Sequence, residues 1–348
     1  MQKILYLIIA ITVGGLCALG QVPAGWLLGS LVTGLICAFF IKKLYFPDSL
    51  FKVALAIIGA TIGFRVIPEQ FITYRSLLLP FVFVFLLTIT GGLLLGKFMQ
   101  RFSSLHPNTA FFCCMPGGAS EVIALSKEYG ADQQIVAAFH TTRITVFVLF
   151  IPLVIGLNVP IPAQNGSAGG VMVGDALLSF VCIGGIGLVT LLLGKRIPLP
   201  GSSLFLAIAL GFIFHQWVVP TLEIPNFVSG IAQGLMGAII GIRFDKETLL
   251  ELKAIGGVSL MTLALYFVMS FGLAGLFYLL TPLEFFTSLL SVVPAGAAEM
   301  ASTATALDVE PMMVATLQML RVLTLFAALP FLIKWFSTPV NAKKKLPN

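Results

Sequence analysis

Charge is what this sequence has least of. Of its 348 residues 10% are Asp, Glu, Lys or Arg, while 58% are hydrophobic and the mean hydropathy is +1.05. A soluble domain carries about 25% charged residues. A soluble core of this composition is therefore excluded, and the bilayer must be the solvent for most of the surface. Histidine is scarce as well. His106, His140 and His215 fall on different segments, which leaves no facial triad and no copper-type cluster. The five cysteines (Cys17, Cys37, Cys113, Cys114 and Cys182) lie in apolar runs without zinc-site spacing and read as small packing residues. The net charge is +6, yet no clustered basic face of the nucleic-acid-binding kind exists. These absences predict a chain without metal or cofactor, without a nucleic-acid partner, and not an enzyme.

What is present is one motif, used twice. Pro116-Gly117-Gly118-Ala119-Ser120-Glu121 interrupts an apolar segment, and Pro294-Ala295-Gly296-Ala297-Ala298-Glu299 repeats it 178 positions later. A Pro-Gly break followed by a carboxylate is costly in lipid unless it faces protein or water. At the same shift Gly59 falls on Gly237, Gly63 on Gly241, Arg65 on Arg243, Arg143 on Arg321 and Pro152 on Pro330. An ordered series of Gly, Pro, Glu and Arg matches implies an internal duplication.

The predicted fold is all-α and polytopic, built as two homologous halves. Residues 1–157 form the first membrane repeat and 171–336 the second, with an uncharged linker at 158–170 and a basic tail at 337–348. Spans are expected near 4–20, 24–41, 50–66, 76–99 and 132–157, then 172–193, 203–219, 229–243, 253–280 and 310–336. The Met1-Gln2-Lys3 start and its apolar run read as an uncleaved first span. The broken segments fall near 105–127 and 285–306. If they re-enter without crossing, each half has five crossings and the halves are inverted. Sixteen of the 20 Lys and Arg then lie on the inner side and two outside, with Arg143 and Arg321 within the membrane. If both segments cross, the split falls to 10 against 8. The positive-inside rule favours inversion, with both termini cytoplasmic.

Four kinds of residue in this pattern point to chemistry. Gly117, Gly118 and Gly296 let the backbone unwind, exposing amides that attract anions and carbonyls that coordinate cations. Paired breaks in two halves are the best sequence pointer to a transporter site, although kinks that only aid packing would look the same. Glu121 and Glu299 sit in the first turn after each break, as helix-dipole residues or as a proton or sodium site. Arg143 and Arg321 lie about 16 Å into long helices, near the middle of a roughly 30 Å core. Each needs a counter-charge, either Glu121 and Glu299 or an anionic substrate. His140, three residues before Arg143, shares its face, and Gln318 replaces it in the second half. A satisfied polar contact is the plainer role for His140, and a titratable group in a proton-coupled cycle the sharper one. Asn108, Thr109, Ser120, Thr141 and Thr142 add polar groups nearby, and Asp132 and Glu310 fall where helix caps are expected. The small-xxx-small pairs Gly59/Gly63 and Gly237/Gly241 predict close helix packing.

The repeated Pro-Gly-Gly-Ala-x-Glu stretch, Gly130-Ala131-Asp132 after it, the Arg143 helix and the 178-residue duplication resemble the bacterial AbrB family of membrane proteins. The resemblance covers essentially the whole chain; Ala295 departs from it where the first repeat has Gly117. It implies a multi-pass protein of the bacterial inner membrane. Family labels run from ammonia monooxygenase to membrane regulator of gene expression. The name is shared with a small soluble DNA-binding regulator, which this chain does not resemble. By architecture the chain is also similar to cation/proton antiporters and bile-acid symporters, an analogy of plan alone. The expectation is an ion-coupled secondary transporter of a small solute, with H+ or Na+ as partner and a homo-oligomer left open. A membrane-bound regulator acting through a partner is the alternative; a monooxygenase lacks the ligands.

Overall fold

A computed structural model describes residues 2–41, 44–66, 70–158, 173–197, 201–220, 222 and 224–336. Most of the expected linker and all of the basic tail lie outside the described residues. Among the described residues there is no strand, and fifteen helices follow one another. The first half holds α1 (Gln2–Leu19), α2 (Gly25–Phe40), α3 (Asp48–Gly63), α4 (Gln70–Phe102), α5 (Pro107–Cys114), α6 (Ala119–Glu128) and α7 (Gln133–Gly156). The second holds α8 (Val173–Gly194), α9 (Ser202–Trp217), α10 (Asn226–Arg243), α11 (Lys246–Ile255), α12 (Gly257–Leu280), α13 (Phe285–Val292), α14 (Ala297–Leu307) and α15 (Pro311–Phe336). This is a multi-pass membrane protein. Five helices are long and apolar enough to cross alone, or six if α10 and α11, bent by 51°, count as one span. Shorter apolar helices such as α2 and α9 have 16 residues, about 24 Å of rise.

The two halves pack by exchange. Helix α10 lies on α2, and α3 lies on α9. The glycine pairs make both contacts possible. A Cβ on Gly237 or Gly241 would run into the carbonyls of Leu27 and Leu31, and one on Gly59 or Gly63 into those of Leu204 and Ile208. Helix backbones approach this closely only where side chains are missing.

The ends of α3 and α10 fix their relative direction. Arg65, just past the end of α3, bonds Asn226 at the start of α10 (3.2 Å). Arg243, closing α10, pairs with Asp48 at the start of α3 (3.3 Å). The two helices, equivalent at the 178-residue shift, therefore run antiparallel. Arg65 and Arg243 mark opposite faces of the protein.

One expected span takes a different form. The second-half stretch 253–280 does not begin within a single helix. Gly256 (φ +77°) separates amphipathic α11 from apolar α12, where α4 runs unbroken for 33 residues. A positive φ is open to Gly at no steric cost, so the chain turns there instead of continuing.

Candidate functional site

Each broken segment is a hairpin. At the first, Pro107 opens α5 while the His106 ring accepts from the Asn108 amide (3.3 Å). Asn108 Nδ2 donates to the Tyr129 carbonyl just past α6 (2.8 Å). The Asp132 amide donates to Thr109 Oγ1 (3.0 Å). The start of α5, the end of α6 and the start of α7 therefore meet at one mouth, and residues 115–118 form a tip inside the protein. Asp132 caps α7, accepting from the amides of Gln134 and Ile135. Asn108 and Thr109 thus hold the mouth together and are not part of the tip.

The second hairpin is α13 and α14. Glu284 before α13 and Glu310 before α15 lie close enough for their charges to interact. Asp308, just past α14, pairs with Arg65 (3.0 Å), which puts this mouth on the Arg65 face. The first mouth opens on the other face, because α7 packs on α11, the helix that follows Arg243. The tips match closely. The Gly117 amide donates to Met115 O and the Ala295 amide to Val293 O, both at 3.0 Å.

The buried arginines reach these tips. Arg143 Nη1 donates to Met115 O (3.3 Å), and Arg321 Nη1 donates to Val293 O (2.6 Å) and Val292 O (3.2 Å). These carbonyls lie at a broken helix end, outside the helical ladder, where Met115 O and Val293 O also accept from the tip amides. The residue one turn earlier repeats the theme. The His140 Nε2–H donates to Phe112 O (2.9 Å), and Gln318 Nε2 donates to Leu290 O (2.6 Å) and Val293 O (3.1 Å). Because a carbonyl only accepts, His140 carries its proton on Nε2. Its Nδ1 is then free to accept from Arg143 Nη2 (3.1 Å). This is the satisfied neutral contact, with no free ring nitrogen left for a proton relay.

The expected Arg–Glu pairing is not formed. Neither Arg143 nor Arg321 makes an ion pair with Glu121 or Glu299. Each glutamate instead folds back over the N-terminus of its own helix. A Cβ placed on Gly118 would strike the Glu121 carboxylate, and one on Gly296 that of Glu299. Glu at the third helical position above a side-chain-free cap neutralises the dipole locally. Glu299 is buried and Glu121 half-buried. Gly117, Gly118 and Gly296 are partly accessible, so both tips border open space; Ser120 is exposed and joins no network.

One central residue escaped the sequence reading. Tyr266 of α12 is fully buried, donates to Cys114 O at the first tip (2.7 Å), and stacks under Arg143 with the guanidinium carbon 5.1 Å from its ring centre. It also interacts electrostatically with Arg321, as Arg321 does with Arg143. Tyr266 thus links the first tip to both arginines. Its repeat counterpart is Thr88. A phenol standing where the duplication has a hydroxyl was the available signal.

Two hairpins entering from opposite faces, each with a broken tip held by a deep arginine, define a class: helical membrane proteins built around paired re-entrant segments. Residues 26–337 match the model of the family described as "Transition state regulatory protein AbrB", and the chain belongs to that family. It is 27% identical over 330 residues to a protein of Escherichia coli strain K12 named "Putative regulator AbrB", covering 91% of each chain. It is 26% identical over 363 residues to "Uncharacterized protein YhjN" of Bacillus subtilis strain 168, covering 95% of this chain and 92% of the relative.

Proposed function

We propose that the protein is an ion-coupled secondary transporter of a small anionic solute in the bacterial inner membrane, with its site between the two hairpin tips. One observation carries this reading: Arg143 and Arg321 are buried within range of each other's charge and neither forms an ion pair, with the buried Glu299 carboxyl the one acidic group acting on Arg321. Placing a cation in mid-membrane costs about 2.5–3.5 kcal/mol on insertion scales, and two arginines that share one nearby carboxyl invite an anion. The carbonyls at each tip disperse this charge without cancelling it. Hairpins from opposite faces and antiparallel α3 and α10 support ten crossings in inverted halves, the plan that permits alternating access. Oxygen chemistry has no part in this reading.

The test is current across a solid-supported membrane. Proteoliposomes would be challenged with a panel of carboxylates, phosphates and amino acids under proton and sodium gradients. A current is expected with at least one anion and should be lost in Arg321→Gln. Silence across the panel, alongside an expression phenotype that the same variant still rescues, would sink the proposal. It would favour the second reading, a membrane regulator, which rests on the names of the family and of the E. coli relative. Orientation has its own check. A single cysteine at Gly130 should label from the cytoplasm and one at Leu307 from outside.

A further inference from the structure

The second hairpin and α15 beside it carry buried polar atoms without partners. Ser288 Oγ, Ser302 Oγ, Thr303 Oγ1 and Gln318 Oε1 are fully buried and make no hydrogen bond. Hydroxyls in these helices ordinarily bond back to the carbonyl four residues earlier. Ser291 does so to Thr287 O (2.7 Å), and Thr305 does so to Ala301 O (2.8 Å). Ser288, Ser302 and Thr303 have the same option and do not use it. At the 178-residue shift their positions are filled by Ala110, Ala124 and Leu125, and Gln318 by a fully bonded His140. Helices α5 and α6 therefore carry alkyl groups where α13 and α14 have unpartnered oxygens; beside the first hairpin the unpartnered atoms are Arg143 Nε and Thr145 Oγ1 of α7. Each such buried group costs about 1–3 kcal/mol if nothing meets it.

The hairpin register brings these oxygens to one layer. Ser288 stands five residues before Val293, and Ser302 six after Gly296, so each is about 8 Å back from the tip along its own helix. Gln318 anchors to Leu290 O, which lies between Ser288 and the tip. Ser302 and Thr303 follow Glu299 by three and four residues and share its face of α14. Four neutral oxygens with one buried carboxylate a turn away suit a single hard monovalent cation; calcium would demand more carboxylate oxygens.

We propose that Ser288, Ser302, Thr303 and Gln318 Oε1 bind a sodium ion within the second hairpin, with Glu299 supplying the balancing charge. This deepens the transporter reading by naming the coupling ion, and rests on that reading only for the word coupling. An ion here adds positive charge beside Arg321, and so favours an anion at the tips.

The test uses the full purified chain in detergent. Its melting temperature would be compared in sodium, potassium and choline chloride at equal ionic strength. Sodium should raise it by at least about 2 °C over choline. The rise should vanish in Ser302→Ala with Thr303→Val and persist in Ser291→Ala, whose hydroxyl is already bonded. Removing unpartnered hydroxyls should leave the melt in choline unchanged or higher. Binding of radiolabelled sodium to the wild-type chain, measured against excess choline, reads the same point without a variant. No sodium-specific shift and no saturable binding would mean that the oxygens hold only water, and would overturn the proposal. A shift that survives in the double variant would do the same. Solute currents without a sodium effect would leave the transporter standing and remove this site. A sodium effect without any current would do the reverse.

Discussion

The two hairpins share a plan and differ in what they leave unfinished. At the first tip Arg143 is met by one carbonyl, a histidine nitrogen and a tyrosine ring. At the second Arg321 is met by two carbonyls, with Gln318 on the same backbone. Gly118 sits at φ −59°, which any residue can adopt, whereas Gly296 sits at φ +101°, which only Gly adopts freely. The first hairpin has Ala110, Ala124 and Leu125 where the second has the unpartnered hydroxyls of Ser288, Ser302 and Thr303. At the 178-residue shift the two hairpins share one scaffold and differ in the polar groups their helices carry.

The largest way to break this contrast is at the arginines. Arg321→Leu leaves Val292 O bare, at about 1–3 kcal/mol, and removes the shortest bond to Val293 O, which keeps the Ala295 amide and Gln318 Nε2. Arg143→Leu bares no carbonyl, since Met115 O keeps the Gly117 amide, and frees Tyr266 and His140 to repack. Thermal unfolding in detergent should show the larger drop for Arg321→Leu. An equal drop would mean that the two arginines do the same structural work.

Next come the glycines. Gly296→Ala should destabilise by about 1–3 kcal/mol from backbone strain, and by more once the new Cβ meets the Glu299 carboxylate. Gly118→Ala meets only the carboxylate collision, which the half-buried Glu121 can relieve by swinging out. Pairing each change with Glu→Gln at the same hairpin separates strain from collision. If the two alanines shift the melt equally, the difference in φ carries no consequence.

These contrasts mark how far the sequence could be read. The breaks, the deep arginines and the hairpin plan were legible because Pro, Gly and Arg are rare in apolar spans and recur at one shift. The arginines' partners were not legible. Charge matching points to Glu121 and Glu299, but the carbonyls at a broken helix end have no letter in the sequence. Tyr266 and the hydroxyls of the second hairpin were missed for a related reason. Matching at the 178-residue shift finds what the halves share, whereas these residues are departures from it (Thr88 to Tyr266, Ala110 to Ser288, Ala124 to Ser302). The break at Gly256 was hidden because its counterpart, Leu78, lies in a continuous helix.

A smaller effect is expected at Tyr266. Tyr266→Phe keeps the ring under Arg143 and removes the bond to Cys114 O, a loss of about 1 kcal/mol. It should lower the melt slightly and leave sodium dependence intact, since the hydroxyl serves the first tip. Loss of the sodium effect would join the two hairpins into one site.

The smallest effect lies at the mouths. The first mouth sets His106 near Asp132 in register, and the second sets Glu284 at the place of His106 and Glu310 at that of Asp132. Burial, and then the Glu284 charge, hold the Glu310 carboxyl above its ordinary value of 4.5. A carboxyl whose folded value is raised binds its proton better in the folded state. Its contribution to stability is complete below 4.5 and is lost as pH rises through the raised value. The melting temperature should therefore fall over that interval, and fall less in Glu284→Gln, where only burial remains. An unchanged pH profile in Glu284→Gln would mean that the two carboxylates do not meet, and that the second mouth stands wider than the first.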